Sequence, residues 1–349
     1  MQITSPISHV DEIVPLVAAG AKELYCGVVP STWVAQFNTG AVNRRYFSNL
    51  PSLSELEKAV TLAHDQGAQL FLVLNAQHYG TAQLEALVDL GNSFHKMGGD
   101  AVIVADLTLI FALRDQVPEL GIHVSSVASC RNSAAVSFYR DLGVRRVILP
   151  RDVTLDEIEV IARGVPDVEI EVFVLNDGCV FEEGVCHSIH LPKKLGGPIC
   201  VDSHQFEYVG AAGKALPHKT LRRLRDNDAD YRRWLWYRFG CGFSTTDEGH
   251  PYGPCGLCAI HRLRQAGVTS IKIAGREGAT ARKIKSVEMV HQVLEIARQG
   301  GDVKSVATTA VGIRRTLAHC ESGYMCYYPE VRWQQEVAAD PMGTVSPVA

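Results

Sequence analysis

The sequence predicts an α/β protein whose core is a TIM-like (β/α) barrel. An incomplete or distorted form of this barrel is the alternative. A cysteine-rich insertion is predicted after the sixth strand. Amphipathic helices alternate with short apolar strands through the first half of the chain, which is the pattern of βαβ units. Strands such as FLVLN and AVIVAD are apolar on both faces, as expected for parallel strands covered by helices. No GxGxxG follows the first predicted strand, so a closed barrel is favoured over an open dinucleotide-binding sheet.

Pairs of one helix and one strand make up the predicted barrel. Each helix carries apolar residues at helical spacing and most end near a glycine, while each strand is a short run of mainly apolar residues. In chain order the pairs are Val10–Ala19 with Glu23–Gly27, Leu53–Gln66 with Gln69–Asn75, Gln83–Met97 with Ala101–Asp106, Leu107–Val117 with Ile122–Ala128, Ser133–Leu142 with Arg145–Pro150, Thr154–Arg163 with Val168–Leu175, and Ala259–Ala266 with Ser270–Gly275. Two helices are predicted after the last strand, Thr280–Gln299 and Val311–Ala318.

The regular alternation breaks between Cys179 and Cys258, over about eighty residues. Connections of that length inside a compact domain are uncommon unless they are functional, and this one holds six of the ten cysteines. We therefore divide the chain into a first part of the barrel at 1–178, a cysteine-rich insertion that holds a metal or cluster at 179–258, the last barrel strand and helix at 259–300, and a C-terminal extension at 301–349.

The composition is that of an ordinary globular protein, since 46% of the residues are hydrophobic and 21% are charged. The net charge of −4 predicts neither a long nucleic-acid track nor attraction to an anionic membrane. No run reaches the roughly 18 apolar residues of a membrane span, and the start MQITSPISHVDEIV lacks the features of a secretory signal. We expect a cytoplasmic protein with reduced cysteines, for which metal binding or redox chemistry is the leading use.

One basic stretch departs from this charge balance. It runs from Lys214 to Tyr237, includes Arg222 and Arg223, and ends in aromatic residues. Such a stretch is able to grip a phosphate or another anionic partner, but a solvated helix face explains it as well.

Polar side chains follow the predicted strands at their carboxyl ends, where the active sites of barrel enzymes gather. The candidate catalytic residues there are Asn75, Asp106, Ser126, Arg151 and Arg276. Arg151 and Arg276 would clamp a carboxylate or phosphate through the paired donors of the guanidinium. Asp106 or Glu171 would move protons. The alternatives are helix capping, for Asp106 ahead of LTLIFALR, and ordinary salt bridges.

Six cysteines of the insertion form the candidate metal site: Cys179, Cys186, Cys200, Cys241, Cys255 and Cys258. The CGLC turn that starts at Cys255 lets two sulfurs reach one metal or one cluster. A zinc site would use four thiolates in a closed shell, an iron–sulfur cluster would use four with less regular spacing, and buried inert thiols are the third interpretation. The spacing alone does not separate zinc from a cluster.

Several segments resemble one known family over roughly Ile3 to Gln299. They include SPISHVDEIVPLVAAGAKELYCG, LVLNAQHYG, AVIVADLTLI, EIEVFVLNDGCVFEEGVC and AGVTSIKIAGREGATARKI. The chain resembles the collagenase-like peptidase family, the thirty-second family of peptidases of unknown catalytic type. That family includes oxygen-independent tRNA and rRNA hydroxylation proteins and paired ubiquinone-pathway proteins. The resemblance implies a bound 4Fe-4S cluster, with zinc as the second choice.

The resemblance also implies which cysteines hold the cluster. Cys179 and Cys186 occupy the family's first two cysteine positions, and Cys255 lies at the position of the last. The family has another cysteine in a CxxxCRWxY arrangement, where this chain reads CVDSHQFEY and places His204. Cys241 is the preferred fourth ligand. The alternatives for the fourth ligand are Cys200, His204 and Cys258. Cys320 and Cys326 have no assigned role.

The function that the resemblance implies is an iron–sulfur-dependent, oxygen-independent hydroxylation at the barrel mouth, by this chain or by a complex with a second family member. The substrate would be an RNA base or a small aromatic or anionic metabolite. A collagenase-like peptidase is one alternative, which the lack of HExxH and GxSxG in the sequence disfavours. A non-catalytic, metal-stabilised partner subunit is the other alternative.

Overall fold

Eight parallel strands close into a complete barrel. A computed structural model describes residues 1–37, 41–45, 47–176, 179, 183–186, 206–235 and 245–333. The strands are β1 (Gln2–Pro6), β2 (Glu23–Cys26), β3 (Gln69–Leu74), β4 (Ala101–Val104), β5 (Gly121–Val124), β6 (Arg146–Ile148), β7 (Glu169–Leu175) and β8 (Ser270–Ile273). Each strand pairs in parallel with its neighbours in sequence, and β1 pairs with β8 to close the cylinder. The predicted TIM-like barrel is confirmed.

Helices surround the barrel, and those that pack against it contribute an apolar face to the core. The helices are α1 (Ile13–Ala18), α2 (Ser31–Phe37), α3 (Leu53–Asp65), α4 (Thr81–Lys96), α5 (Leu107–Gln116), α6 (Ser133–Asp141), α7 (Leu155–Gly164), α8 (His218–Leu235), α9 (Ile260–Gln265), α10 (Thr280–Arg298), α11 (Val303–Arg314) and α12 (Leu317–Ser322). In α3, for example, Leu56, Ala59, Val60 and Ala63 are buried at helical spacing. Thr154 caps α7 by accepting a hydrogen bond in its first turn.

The sequence-based prediction missed the first barrel strand, β1, and therefore counted one strand too few. Its sequence QITSP is short and carries polar residues and a proline, so it lacks the apolar run that marks the other strands. Inside the barrel, Thr4 of β1 donates a hydrogen bond to a carboxylate oxygen of Glu23 at 2.5 Å. As a consequence, the insertion expected after the sixth strand follows β7.

A network of charged side chains fills the interior of the barrel. Arg146 of β6 contacts Glu23 of β2 at 2.7 Å and Glu171 of β7 at 2.9 Å. Lys272 of β8 contacts Glu171 at 2.6 Å. All four side chains are buried, and buried charges are tolerated when they are paired. The carboxylate of Glu171, one of the two predicted proton carriers, is therefore held in two ion pairs inside the barrel.

The chain beyond β8 continues as three helices. The helix predicted at Val311–Ala318 is wrong in its bounds, because α11 begins at Val303 and Arg315, with a left-handed φ of 55°, ends it. Valine and threonine in VKSVATTAV weaken the helical signal, but Asp302 caps the helix and α10 packs against it. None of the helices in the described segments is long and apolar enough to cross a membrane.

Candidate functional site

The carboxyl ends of the strands form one rim of the barrel, and the predicted polar residues follow those ends. Asn75 comes directly after β3. Its Oδ1 accepts a hydrogen bond from the backbone N–H of Arg44 at 3.2 Å, and its Nδ2 donates to Ser125 Oγ at 3.1 Å. Asn75 therefore joins the loop after β2 to the loop after β5.

Asp106 and Ser126 belong to turns that start helices. Asp106 caps α5, because its Oδ1 accepts from the N–H of Leu109 at 3.0 Å, and its Oδ2 also accepts from the N–H of Tyr79 at 3.3 Å. The capping alternative is thereby confirmed, while a catalytic role of Asp106 stays a prediction. Ser126 opens a short 3-10 turn and is buried, and its catalytic role also stays a prediction.

Arg151 is paired with a carboxylate of the insertion. Its Nη1 donates to Glu183, and its guanidinium lies 3.7 Å from the centroid of the Phe173 ring. Arg44 donates to the backbone carbonyl of Glu183. Glu183 is buried, and its Oε1 has no hydrogen-bond partner among the described residues. Glu183 is not among the predicted site residues, although the sequence marks it as one of an acidic pair between Cys179 and Cys186.

Arg276 is a buried cation with neutral partners. It is 6% exposed, and its two terminal nitrogens donate to the side-chain oxygens of Asn49 at 3.2 Å and Asn43 at 2.9 Å. In the described part of the chain it forms no ion pair with a carboxylate. Burial lowers the pKa of Arg276, yet a guanidinium stays protonated in proteins. This side chain is therefore suited to hold an anion.

Gly27, directly after β2, allows the loops to close around Arg276. An added Cβ would lie 2.5 Å from Arg276 Nη1 and 2.6 Å from Asn43 Nδ2. A residue with a side chain does not fit there unless these groups move. The position of the Arg276 guanidinium thus depends on a glycine.

Two of the predicted cluster ligands lie near the rim. Cys179 follows β7 and Cys186 follows the turn Glu183–Val185, and both are partly exposed. Cys255 lines a different cavity, to which neither of them contributes. Outside the described residues lie Cys241, Cys200 and His204. The ligand set implied by the resemblance therefore stays a prediction.

Cys255 lies at a junction of three chain segments. Its segment pairs antiparallel with the end of β7 at Leu175 and parallel with the C-terminal extension at Cys326. The N–H of Cys255 donates to the carbonyl of Met325 at 2.6 Å, and the N–H of Tyr327 donates to the carbonyl of Cys255 at 2.9 Å. These backbone bonds fix the CGLC turn against the extension.

Four cysteines line one cavity beside this junction. They are Cys255, Cys258, Cys320 and Cys326. The cavity has a volume of about 390 Å³, which includes space open to solvent. In the segments that the structure describes, no three His, Cys, Asp or Glu side chains have the arrangement that a single metal ion needs.

Two thiols of this cavity, those of Cys258 and Cys326, are not activated as nucleophiles. Burial, together with the neighbouring Cys255, raises the pKa of Cys258 and of Cys326 to about 12. A bare thiol with such a pKa stays protonated at neutral pH, and the thiolate is the nucleophilic form. This weakens the alternative of a cysteine peptidase at this cavity.

Arg314, the last residue of α11, is buried beside the four cysteines. It is 2% exposed, and its Nη2 donates to the carbonyls of Tyr252 at 2.6 Å and Gly253 at 2.7 Å. Its Nε donates to Thr316 Oγ1 at 2.7 Å. Its Nη1 has no hydrogen-bond partner among the described residues. A positive charge is thus held in the wall of the cavity, where it interacts with the side chain of Cys255.

The predicted basic stretch contains helix α8, of which no residue is buried. The helix carries six basic and three acidic side chains. Arg222 and Arg223 form no ion pair within the described residues. The rings of Tyr231 and Trp234 stack with their centroids 5.8 Å apart. The stretch therefore presents free guanidinium groups and a pair of aromatic rings on one exposed helix.

Comparison with known proteins identifies relatives of this chain. A family profile described as Peptidase family U32 matches residues 8–335. The chain is 37% identical over 288 residues to tRNA hydroxylation protein P of Escherichia coli (strain K12), which covers 76% of this chain and 63% of that protein. It is 24% identical over 314 residues to tRNA hydroxylation protein P2 of Bacillus subtilis (strain 168), which covers 86% of this chain and 87% of that protein.

Other relatives match shorter parts. The 23S rRNA 5-hydroxycytidine C2501 synthase of Escherichia coli (strain K12) is 30% identical over 182 residues, which is 51% of this chain and 27% of that protein. The chain thus spans less than two thirds of both Escherichia coli relatives. A solved structure of the U32 peptidase Mk0906 is 18% identical, with a TM-score of 0.40, and covers 53% of this chain and 75% of that one. Since the family profile matches nearly the whole sequence, the chain belongs to peptidase family U32.

Proposed function

We propose that this chain hydroxylates an RNA base at the rim of its barrel. The observation that carries the proposal is the 37% identity over 288 residues to a protein named for tRNA hydroxylation. Relatives named for tRNA hydroxylation and for 5-hydroxycytidine synthesis in 23S rRNA support the same class of substrate. Because the chain spans 63% of the Escherichia coli tRNA hydroxylation protein, the shared activity is itself part of the proposal.

The buried guanidinium of Arg276 supports a site for an anionic reactant. Its partners Asn43 and Asn49 are neutral, so an anion would supply the missing counter-charge. That anion is a phosphate of the RNA or a carboxylate of the second reactant. A base in a stacked helix cannot reach the rim of a barrel, so the target nucleotide has to be turned out of its stack.

The proposed reaction replaces a C–H bond of the base by C–OH. The C–H bond breaks, C–O and O–H bonds form, and the base loses two electrons. We propose that a small organic oxygen donor, and not molecular oxygen, supplies the oxygen atom and is reduced by the same two electrons. An iron–sulfur cluster, when bound, supplies one-electron transfer. The chain's own contribution at the rim is to orient the reactants through Asn75, Arg151 and Arg276.

Helix α8 supports RNA as the substrate class. Arg222 and Arg223 are exposed and without ion pairs in the described residues, so they are available to phosphates. The stacked rings of Tyr231 and Trp234 offer a surface on which unpaired bases stack. Because the net charge of the whole chain is −4, binding to RNA would depend on this local patch.

Nucleoside analysis tests the proposal. tRNA and rRNA are isolated from cells that lack the gene for this chain, with and without a plasmid copy, and the digested nucleosides are compared by liquid chromatography and mass spectrometry. We expect one nucleoside to gain one oxygen atom when the plasmid is present, in cultures without oxygen as well as with it. Unchanged nucleosides in both RNA pools, with folded protein present, would contradict the proposal, and a product confined to aerated cultures would contradict the oxygen-independent step.

A second family member as partner is tested with the purified chain. If the chain alone modifies RNA extracted from the deletion strain, no partner is needed. If extract from the deletion strain restores activity, a further protein takes part, and co-purification identifies it. Gelatin is assayed in parallel, and its cleavage by the purified chain would favour the peptidase alternative.

A further inference from the structure

The turn Glu183–Val185 of the insertion lies across the mouth of the barrel. Three side chains donate hydrogen bonds to it: Arg44 to the carbonyl of Glu183, Gln77 to the carbonyl of Gly184, and Arg151 to the carboxylate of Glu183. Arg44 and Gln77 belong to the loops after β2 and β3, whereas Arg151 follows β6. In a closed ring of eight strands, β2 and β3 lie opposite β6 and β7, so the turn spans the opening.

The rim is closed where this turn crosses it. The side chain of Val185 is 63% exposed, whereas Glu183 is only 9% exposed and faces inward. The turn also packs against the turn Ser126–Ala128 after β5. Around the opening, Arg276 and Ser125 are buried. Because these residues are buried in this structure, a nucleotide reaches them only if a part of the rim moves.

We propose that Arg44, Gln77 and Arg151 form a binding site for one phosphate group of the RNA, and that the turn fills this site until RNA binds. The turn offers these residues what a phosphate would offer, namely one negative charge and three acceptor oxygens. Guanidinium and amide groups are common partners of nucleic-acid phosphates. The inference rests on the proposed function, because it takes RNA as the substrate.

Arg151 keeps its place without the help of Glu183. Its guanidinium lies 3.7 Å from the centroid of the Phe173 ring, and this cation–π contact needs no carboxylate. Both side chains of the Arg151–Glu183 pair are 11% exposed, so salt screens their attraction only weakly. A guanidinium left alone at such a site is unfavourable. The carboxylate is therefore expected to leave in exchange for another anion.

The proposed phosphate site adjoins the pocket of Arg276. Arg44 directly follows Asn43, whose Oδ1 accepts a hydrogen bond from Arg276 at 2.9 Å. The backbone N–H of Arg44 donates to Asn75 Oδ1 at 3.2 Å. Phosphate contacts fix the register and orientation of a bound nucleic acid. A phosphate on Arg44 would thus hold its nucleotide beside Asn75 and Arg276, where a base turned out of its stack is needed.

The first test measures RNA binding by full-length charge variants, with tRNA extracted from the deletion strain. Glu183→Gln should tighten binding by about 3- to 10-fold, because the group that occupies the site loses its charge. Arg151→Gln should weaken binding and lower the slope of log K against log salt by about 1. The charge-matched controls are Glu85→Gln on the exposed face of α4 and Arg163→Gln on α7. Both controls should bind like the wild type.

A double variant separates a shared site from damage to the fold. In the Arg151→Gln background, Glu183→Gln should no longer tighten binding, because the guanidinium that the carboxylate occupies is gone. A damaged rim would weaken binding in either background. Circular dichroism of each variant reports whether the barrel is folded.

Hydrogen exchange of the unaltered chain gives the second test. The amides of residues 183–186 should exchange faster when tRNA saturates the protein, because the turn leaves the rim. The peptide that contains Glu85 on α4 is the internal control and should exchange at the same rate with and without tRNA.

Three results would overturn the phosphate site: tRNA binding that Glu183→Gln leaves unchanged or weakens in a folded chain, tRNA binding that Arg151→Gln leaves unchanged, or slower exchange of residues 183–186 in the complex. Slower exchange would mean that RNA lies on top of a closed turn. Binding and exchange are measured without catalysis. A chain that gives the expected results but adds no oxygen to RNA would therefore contradict the proposed hydroxylation and leave the phosphate site standing.

Discussion

Tyr328 donates its hydroxyl hydrogen bond to the backbone carbonyl of Phe173 at 2.9 Å, although the two residues are 155 positions apart in the sequence. Phe173 lies in β7, and its ring also packs under the guanidinium of Arg151. The C-terminal extension is therefore bonded to the strand that supports the rim. A substitution in the extension is therefore expected to change the stability of the barrel.

Tyr328→Phe should lower the free energy of unfolding by about 1 kcal/mol, because a buried carbonyl loses its donor while the ring is kept. Urea denaturation at neutral pH measures the difference. Tyr208→Phe is the control, since that hydroxyl binds Asp228 on the exposed helix α8, and it should leave the transition unchanged. Equal effects of the two variants would show that the extension does not stabilise the barrel.

Arg276→Gln should reduce RNA hydroxylation by about 10²-fold, because the buried cation for the anionic reactant is lost. Its stability should change by no more than about 1 kcal/mol, since the partners Asn43 and Asn49 are neutral and the amide keeps a donor. Product formation and thermal melting measure the two effects. Arg45→Gln, which breaks an exposed pair with Glu277, is the control and should stay active. A strongly destabilised but active Arg276→Gln would assign the residue to the fold.

Gly27→Ala should also reduce RNA hydroxylation, because the new Cβ would lie 2.5 Å from Arg276 Nη1 and displace the guanidinium. We expect a loss of about 1 to 3 kcal/mol in stability together with lower activity. Thermal melting and product formation are compared with Gly312→Ala, where nothing lies within 4 Å of the added Cβ and the helix should become slightly more stable. Full activity of Gly27→Ala would show that the Arg276 guanidinium is free to move.

The buried pair of Glu12 and Lys283, 2.9 Å apart, makes stability depend on acid. Burial alone would raise the pKa of Glu12, but the N–H of Ser8 and the charge of Lys283 outweigh it, so the pKa is lowered. A carboxyl whose pKa is lower in the folded chain stabilises it fully above its unfolded pKa, and that contribution is lost as the pH falls through the folded value. Stability should therefore decline below about pH 5.

Glu12→Gln should cost about 3 to 5 kcal/mol at neutral pH, because it leaves the Lys283 ammonium buried without its counter-ion. The difference from the wild type should narrow in acid. Denaturation at several pH values measures this, with Glu55→Gln as a control at an exposed pair with Lys58. Replacing both partners, by Glu12→Leu with Lys283→Met, should recover much of the loss. A loss that stays constant from neutral pH into acid would refute the pair as its source.

Arg222→Gln combined with Arg223→Gln should weaken RNA binding and lower its salt dependence, by about 1 to 2 in the slope of log K against log salt. Both side chains are exposed and form no ion pair in the described residues, so stability should not change. Binding of extracted tRNA is measured at several salt concentrations. Arg140→Gln with Arg163→Gln, two exposed arginines on α6 and α7, is the matched control. Equal affinity in both double variants would exclude α8 as the RNA surface.

The parts of the fold that follow from the sequence are those with strong periodicity. Strands such as β3 and β4 are continuous apolar runs, and α3 and α7 have one apolar face and a capping residue, so their existence is visible locally. β1 is not visible, because its polar residue Thr4 is stabilised by Glu23 of the neighbouring strand β2. α11 is a similar case, since its β-branched residues are helical through packing against α10.

Some residues of the candidate site can likewise be predicted from the sequence, and others cannot. Arg276 and Asn75 are predicted by their position after a strand, which is a property of the sequence. Asn43, Asn49 and Glu183 are not, because they lie in irregular loops and meet the rim through contacts that no local pattern encodes. The cysteines of the extension and Arg314 are brought to the CGLC turn by the path of the chain over three helices, and a path of that length is a tertiary property.

The charged plug formed by Arg146, Glu23, Glu171 and Lys272 blocks the axis of the cylinder. Because these side chains fill the interior of the barrel, a reactant that enters at the rim also has to leave at the rim. The two reactants would therefore bind in a fixed order, and the second would cover the first. For a site that is open at one end only, we expect ordered binding kinetics in which the smaller reactant binds before the RNA.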